Sequence, residues 1–495
     1  MRIADISWKY VLLGIYLVSF SVASLIFSAQ FHGEDELGVY ITASWLVELI
    51  VQGDLFSFLR ILVGSYHPPG RFLLAVVSFI LLGPSAFALR LPAVLIWAAT
   101  CVLAADTARR LSGRVAGLIV GILLSVSGLY ALQALGFGHG VLTFWVMLFV
   151  WFKVRTPTWS LVSKTARRDY VIGGVILGLG FLWFTSLLPI AGMYHLYYAY
   201  KAVREKVVGR YLLITAGFFA FYAIYYAIFL GIPWYAVEAG IRQRPVGQLY
   251  QNLVRSGEAR VNVESFVENL KGINWYHVPF ISWVLLVAGI FWQWRCGREF
   301  LIILGPYALI FSFYLIGNTA QHFLSYYIWM VPFAIAGLWQ FAHLRGQDWR
   351  GAMASFLIAI CIASGLFGYV ANTRRYTETD YPTWLQQSFF ASGKWRTNLV
   401  RPLPQIAEDL SVVLGPEDLW TVTIDGPLSM YYFVDDRFAE TVFEDHVFNG
   451  RSCLALVSDV NVAAIVRSST QAPLCDKDYV SLTAYEGSYL EIVMR

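Results

Sequence analysis

Three consecutive carboxylates, Glu34, Asp35 and Glu36, stand a few residues beyond the first long apolar run of the chain. Charges at a membrane boundary cost free energy unless they are solvated, paired or metal-bound, so their density is informative. One such carboxylate can serve as a general base while a neighbour holds substrate or a divalent metal. The competing reading is a solvated loop that marks an outer face. About thirty residues on, the same segment carries Tyr66-His67-Pro68-Pro69-Gly70-Arg71. Its two prolines fix the backbone. His67 can donate a hydrogen bond or ligate a metal, with Glu36 as a partner ligand, and Arg71 suits a phosphate. A structural turn ahead of an interfacial helix is the alternative.

The elements that must position these residues follow from composition. The chain has 495 residues, of which 58% are hydrophobic and only 14% charged. A soluble domain carries about 25% charged residues, so this composition excludes a soluble enzyme and a nucleic-acid-binding protein. Aromatics reach 17%, as expected where many helix ends meet a lipid–water boundary. Apolar runs long enough to cross a bilayer fall near 8–28, 89–108, 115–132, 138–152, 170–185, 186–202, 211–231, 277–293, 299–317, 323–343 and 351–371. The expected fold is therefore a polytopic α-helical membrane protein of about eleven spans.

Basic residues accumulate on the cytoplasmic side and set the orientation. With a cytoplasmic N-terminus, the inner connections hold Arg109, Arg110 and Arg114; Lys153 to Arg168; Lys201 to Arg210; Arg295 and Arg298; and Arg345 and Arg350. The apolar stretch Phe72–Gly83 is too short to span, and counting it would invert everything after it. It reads as a short helix in the outer leaflet, and Val39–Gln52 as an interfacial helix. No secretory signal precedes these segments. The acidic groups then collect outside. Residues 1–371 carry 26 Lys and Arg against 15 Asp and Glu, whereas 372–495 carry 10 against 17.

The division expected is thus a membrane domain over 1–371 and a small outer α/β domain over 372–495. In the latter, strands are expected at Leu419–Ile424, Ala439–Phe443, Cys453–Val460, Val480–Ala484 and Ser488–Val493, with a helix at Pro404–Leu414. Cys453 and Cys475 either pair or remain buried thiols. Cys101, Cys296 and Cys361 read as packing residues. No phosphate-binding loop, HExxH, CxxC pair or complete nucleophile elbow occurs, so no nucleotide cofactor is expected. Gly173–Gly180 and Gly117-x-x-x-Gly121 lie within spans and read as helix-packing glycines.

The order of motifs is a first span, an Asp-Glu pair, an amphipathic stretch, His-Pro-Pro, a short apolar helix and Ala88-Leu89-Arg90-Leu91-Pro92. It resembles the integral-membrane glycosyltransferases of the GT-C fold, and most of all the branch of the protein O-mannosyltransferases and lipid A aminoarabinose transferases. Ser325-Tyr326-Tyr327 leading to Pro332 resembles their late aromatic-plus-proline helix. The specific likeness covers about residues 8–155, and beyond that it is architectural.

That resemblance implies transfer of a sugar from a polyprenyl-phosphate carrier to a hydroxyl or phosphate of an acceptor, outside the cytoplasmic membrane and with inversion. By position, Asp35 matches the family's first acidic residue and is the candidate base, Glu36 matches its partner and His67 the His of His-Pro-Pro, while Glu34, Tyr326 and Tyr327 would line the substrate site. A lipid-linked donor brings its own leaving group, which fits the missing nucleotide loop. Charge on the departing phosphate would meet Arg60, Arg71 or Arg90, or a divalent cation. Arg242, Arg244, Arg255 and Arg260 are further phosphate candidates, with a solvated surface role as the alternative. The chain departs from the family at His139, where relatives often place an acidic residue. It stands there as a structural cap or as a substrate contact. The rival function is a transporter or flippase of lipid-linked sugars, but no internal repeat or mid-span charge cluster supports it. A bacterial inner membrane is the expected location. Acceptors open from sequence are lipid A or lipopolysaccharide, another envelope glycan, or a protein.

Overall fold

The computed structural model describes residues 7–26, 34–64, 69–84, 86–126, 139–183, 187–230, 294–313, 328–344 and 348–353, isolated positions among 355–363 and at 412, and five strands beyond. Among these are twelve helices: α1 (Trp8–Ile26), α2 (Glu34–Gln52), α3 (Leu55–Gly64), α4 (Pro69–Leu82), α5 (Ala86–Ser112), α6 (Arg114–Val126), α7 (His139–Arg155), α8 (Lys164–Phe181), α9 (Leu188–Arg204), α10 (Val208–Leu230), α11 (Trp294–Phe313) and α12 (Met330–Leu344). Nine of the eleven expected spans fall on described helices. Residues 277–293 and most of 351–371 lie outside them. By length and composition, Phe87–Ser112 is long and apolar enough to cross a membrane, and Trp8–Ala23, Phe72–Leu82, Arg114–Val126 and Val208–Ile224 are shorter apolar helices.

Helix α5 is the hub, packing on α1, α4, α6, α7 and α12. Its buried face is mostly small (Ala98, Cys101, Ala104, Ala105, Ala108), which lets neighbouring helices approach closely. Cys101 is a buried free thiol, as a packing role requires. The glycines of α6 serve the same end. A Cβ at Gly117 would come within 2.7 Å of the Trp8 ring and 2.8 Å of the Ala105 carbonyl. On α8, Gly173 and Gly174 leave room for Tyr194 and Phe218. The outward faces carry Leu212, Leu213, Phe219 and Ile224 of α10 and Leu13, Leu17 and Val18 of α1, all exposed. Such surfaces suit lipid and not water.

At one end of the bundle a single carboxylate gathers four donors. Asp106 of α5 is only 6% exposed. Its Oδ1 accepts from Trp8 Nε1 at 3.0 Å and Arg109 Nε at 2.7 Å. Its Oδ2 accepts from Arg110 Nε at 2.8 Å and Trp151 Nε1 at 2.9 Å. Helices α1, α5 and α7 are thereby tied together, and Arg109 and Arg155 stack on the same two indoles.

A second, smaller core lies in the segment between α1 and α5. Val39, Ala43 and Leu46 of α2, Leu62 of α3, Phe72, Ala75, Val76 and Phe79 of α4, and Ala88 and Leu89 of α5 form one buried cluster. Helix α2 starts at Glu34, five residues ahead of the expected boundary, because Glu34, Asp35 and Glu36 form its first turn, where carboxylates complement the helix dipole. Helix α3 was not expected. Asp54 caps it, accepting from Ser57 N at 3.0 Å, and hydrogen bonding from the Ser57 hydroxyl, with its amide second, holds the carboxyl below its usual pKa. Helix α4 is about 21 Å long at 1.5 Å per residue, short of a hydrocarbon core of about 30 Å.

Pro92 explains how α4 is held to α5. A proline inside a helix has no N–H for the carbonyl four residues earlier. That carbonyl is Ala88, and the Ser78 hydroxyl of α4 donates to it. Ser78→Ala is expected to remove this hydrogen bond and to destabilise the protein by about 0.5–1.5 kcal/mol, measurable as a lowered unfolding midpoint in detergent.

Beyond the bundle, five strands form one sheet: β1 (Leu419–Ile424), β2 (Phe438–Phe443), β3 (Val462–Ser468), β4 (Val480–Ala484) and β5 (Leu490–Met494), in the order β2-β1-β3-β5-β4. The pairs β1–β2 and β1–β3 are parallel, while β3–β5 and β4–β5 are antiparallel. Four strands fall where the sequence places them, within two residues. The fifth, β3, was not expected. The strand expected at 453–460, Cys453, Cys475 and all but Val412 of the helix expected at 404–414 lie outside the described residues.

Candidate active site

The candidate residues sit at helix starts. Glu34, Asp35 and Glu36 are the first turn of α2, Arg71 is in the first turn of α4, Arg90 is in the second turn of α5, and His139 opens α7. Arg60 lies on α3. His67, Tyr326 and Tyr327 lie outside the described residues, as do Arg242, Arg244, Arg255 and Arg260. For Glu34, Asp35, Glu36, Arg60, Arg71 and His139 the structure describes the backbone alone.

Helices α2, α3, α4 and the start of α5 share the small core, so the acidic turn, Arg71 and Arg90 are carried by one packed unit. Glu36 lies three residues before buried Val39, and Arg71 directly precedes buried Phe72. The local physics differs between them. Carboxylates at the start of α2 are favoured by the helix dipole, whereas the cation at the start of α4 is disfavoured by about 0.3–1 kcal/mol. An anion bound beside Arg71 would reverse that sign. Arg90 is 5% exposed. A guanidinium so far out of water must be matched by polar or anionic partners. Among the described residues no group of three His, Cys, Asp or Glu side chains gathers to hold a metal. The pair suggested by sequence, Glu36 and His67, has no described side chains.

Sequence reasoning missed one participant. The Gly70 amide of α4 donates to the Leu182 carbonyl, just past the end of α8, at 3.0 Å. The sequence places Leu182 inside the expected span 170–185. The structure brings it against Pro69-Gly70-Arg71. A glycine following two prolines was the available signal, but nothing in the sequence points to Leu182.

The chain has the helix arrangement of the GT-C fold. It is similar to ArnT from Cupriavidus metallidurans bound to undecaprenyl phosphate, with a TM-score of 0.56 and 15% identity over 98% of this chain and 97% of that one. The apo state of the same protein gives a TM-score of 0.55 over the same shares. An oligosaccharyltransferase from Archaeoglobus fulgidus, in complex with Zn and sulfate, is similar at a TM-score of 0.48 and 12% identity, covering 97% of this chain and 72% of that one. No protein-family model and no curated protein matches the sequence.

Proposed function

We propose that the protein is a glycosyltransferase of the bacterial inner membrane that moves a sugar from a polyprenyl-phosphate donor to an envelope acceptor on the outer face. The acceptor class comprises lipid A or lipopolysaccharide, another envelope glycan, or a protein. The observation that carries this reading is end-to-end similarity to a fold solved with undecaprenyl phosphate, in a chain whose first outer segment presents an acidic helix start. In the proposed orientation the N-terminus is cytoplasmic, and residues 372–495 form an outer domain.

The reaction is a single displacement. Asp35 takes the proton of the acceptor hydroxyl, and the acceptor oxygen attacks the anomeric carbon. The bond from that carbon to the phosphate oxygen breaks, and its electron pair leaves with the polyprenyl phosphate. The new bond forms on the opposite face, giving inversion. Glu36 and Glu34 hold the acceptor, Arg71 and Arg90 with Arg60 offset charge on the leaving phosphate, and His67, His139, Tyr326 and Tyr327 line the sugar. A divalent cation, were the phosphate to carry one, would be held by Glu36 and His67 and would offset part of its charge. Purified protein given a radiolabelled polyprenyl-phosphate sugar and an envelope extract tests the reading. Label transferred to a lipid, glycan or protein of the extract supports it. Lipid crossing the bilayer with the glycosyl bond intact would replace it with a flippase.

A further inference from the structure

We infer that the outer corner of α8, Leu182–Trp183, is the seat that registers the Pro69-Gly70-Arg71 turn, and that Gly70 and Trp183 are positioning residues for that turn's contact with a polyprenyl phosphate. The inference rests on the function proposed above. It starts from two helix ends. Gly70 carries one of the N–H groups that the start of α4 cannot pair internally, and Leu182 is the C-cap residue of α8, beside that helix's unpaired carbonyls. The two orphans satisfy each other at 3.0 Å.

The space around them is closed. A Cβ on Gly70 would lie 2.6 Å from Trp183 Cδ2, 2.9 Å from Trp183 Cε3 and 2.9 Å from the Leu182 oxygen. Gly70 is buried and is not among the glycines with positive φ. Its missing side chain therefore serves close approach and not an unusual backbone shape. The corner is fixed from its other side as well. At Gly180, a Cβ would come within 2.9 Å of Trp145 on α7, the helix that His139 opens, and would also meet Leu187. Trp183 thus lies against the start of α4, on an end of α8 that three residues earlier, at Gly180, packs on Trp145 of α7.

Arg71 is the next residue after Gly70. Lifting Gly70 off the indole by the distance a methyl needs shifts the backbone that aims Arg71. Misplacement by about 1 Å can cost roughly a hundredfold in a site that depends on alignment. The effect should fall on phosphate recognition and spare the isoprenoid chain.

The test uses full-length protein in nanodiscs with two probes, undecaprenyl phosphate and undecaprenol, and compares their affinities. Wild type is expected to prefer the phosphate. Gly70→Ala and Trp183→Ala are each expected to weaken phosphate binding by roughly tenfold or more with undecaprenol binding unchanged, and Trp183→Phe to restore much of the preference. A Gly70→Ala protein that keeps the wild-type preference, or loses both ligands equally, overturns the inference while leaving the proposed function standing. If Gly70→Ala does not fold, Trp183→Ala, which only opens space, decides by the same ratio. Wild type that does not distinguish the probes overturns the proposed function and this inference together.

Discussion

Asp35→Asn is expected to reduce sugar transfer by about 10²–10⁴-fold, the usual contribution of a positioned general base, and to leave expression intact with at most a small fall in unfolding midpoint. The amide has the shape of the carboxylate but cannot take a proton. Its structural cost is bounded by its place. Asp35 lies in the first turn of α2, where losing one negative charge costs about 0.3–1 kcal/mol, and Glu34 and Glu36 remain on either side to face the helix dipole. Purified variant and wild type, compared in the radiolabel assay at equal monodispersity, give the result. Full activity in the variant would remove Asp35 as the base and shift attention to its neighbours.

Asp106→Ala should behave in the opposite manner, losing stability throughout the membrane bundle. Removing this carboxylate strands two guanidinium Nε donors and two indole N–H donors that converge on it from three helices. Breaking a buried charge cluster by deleting one partner costs about 3–5 kcal/mol. The expected readout is a sharp fall in unfolding midpoint and in yield. Asp106→Asn keeps an acceptor and should fall between. An alanine variant as stable as wild type would show that the arginines find other partners at that boundary. The two aspartates separate function from scaffold: one near the proposed chemistry and cheap to neutralise, the other at the opposite end of α5 from Arg90 and costly.

Much of the bundle was legible because span length and apolarity are local properties. The length of α5 and the packing glycines of α6 and α8 needed no tertiary information. Helix α2 was expected to start too late, because Glu34–Glu36 were weighed as chemistry and not as a helix start. Helix α3 was missed for a different reason: it has only ten residues, and Arg60 interrupts its apolar pattern. In the tail, Cys453–Val460 and Val462–Ser468 have similar β-forming composition. The second pairs with both β1 and β5, long-range partners that a window of sequence cannot supply. The candidate site divides in the same way. The types and order of Glu34–Glu36, Pro69–Arg71 and Arg90 are visible in the sequence, whereas the bond from Gly70 to Leu182 joins residues far apart in the chain and needs the fold.

That bond also bears on the order of assembly during synthesis. Residues 34–82 emerge before α5, and their shared core is small, as in isolated segments below about 70 residues, which usually need a staple or a partner. They must wait for Ala88 and Leu89 to complete that core, and for Leu182 before Gly70 gains its acceptor. A nascent chain released before residue 182 would therefore carry the acidic turn and Arg71 but no seat to hold them in register. The Pro69-Gly70-Arg71 turn would thus gain its seat only after α8, the eighth of the described helices in chain order, has been made.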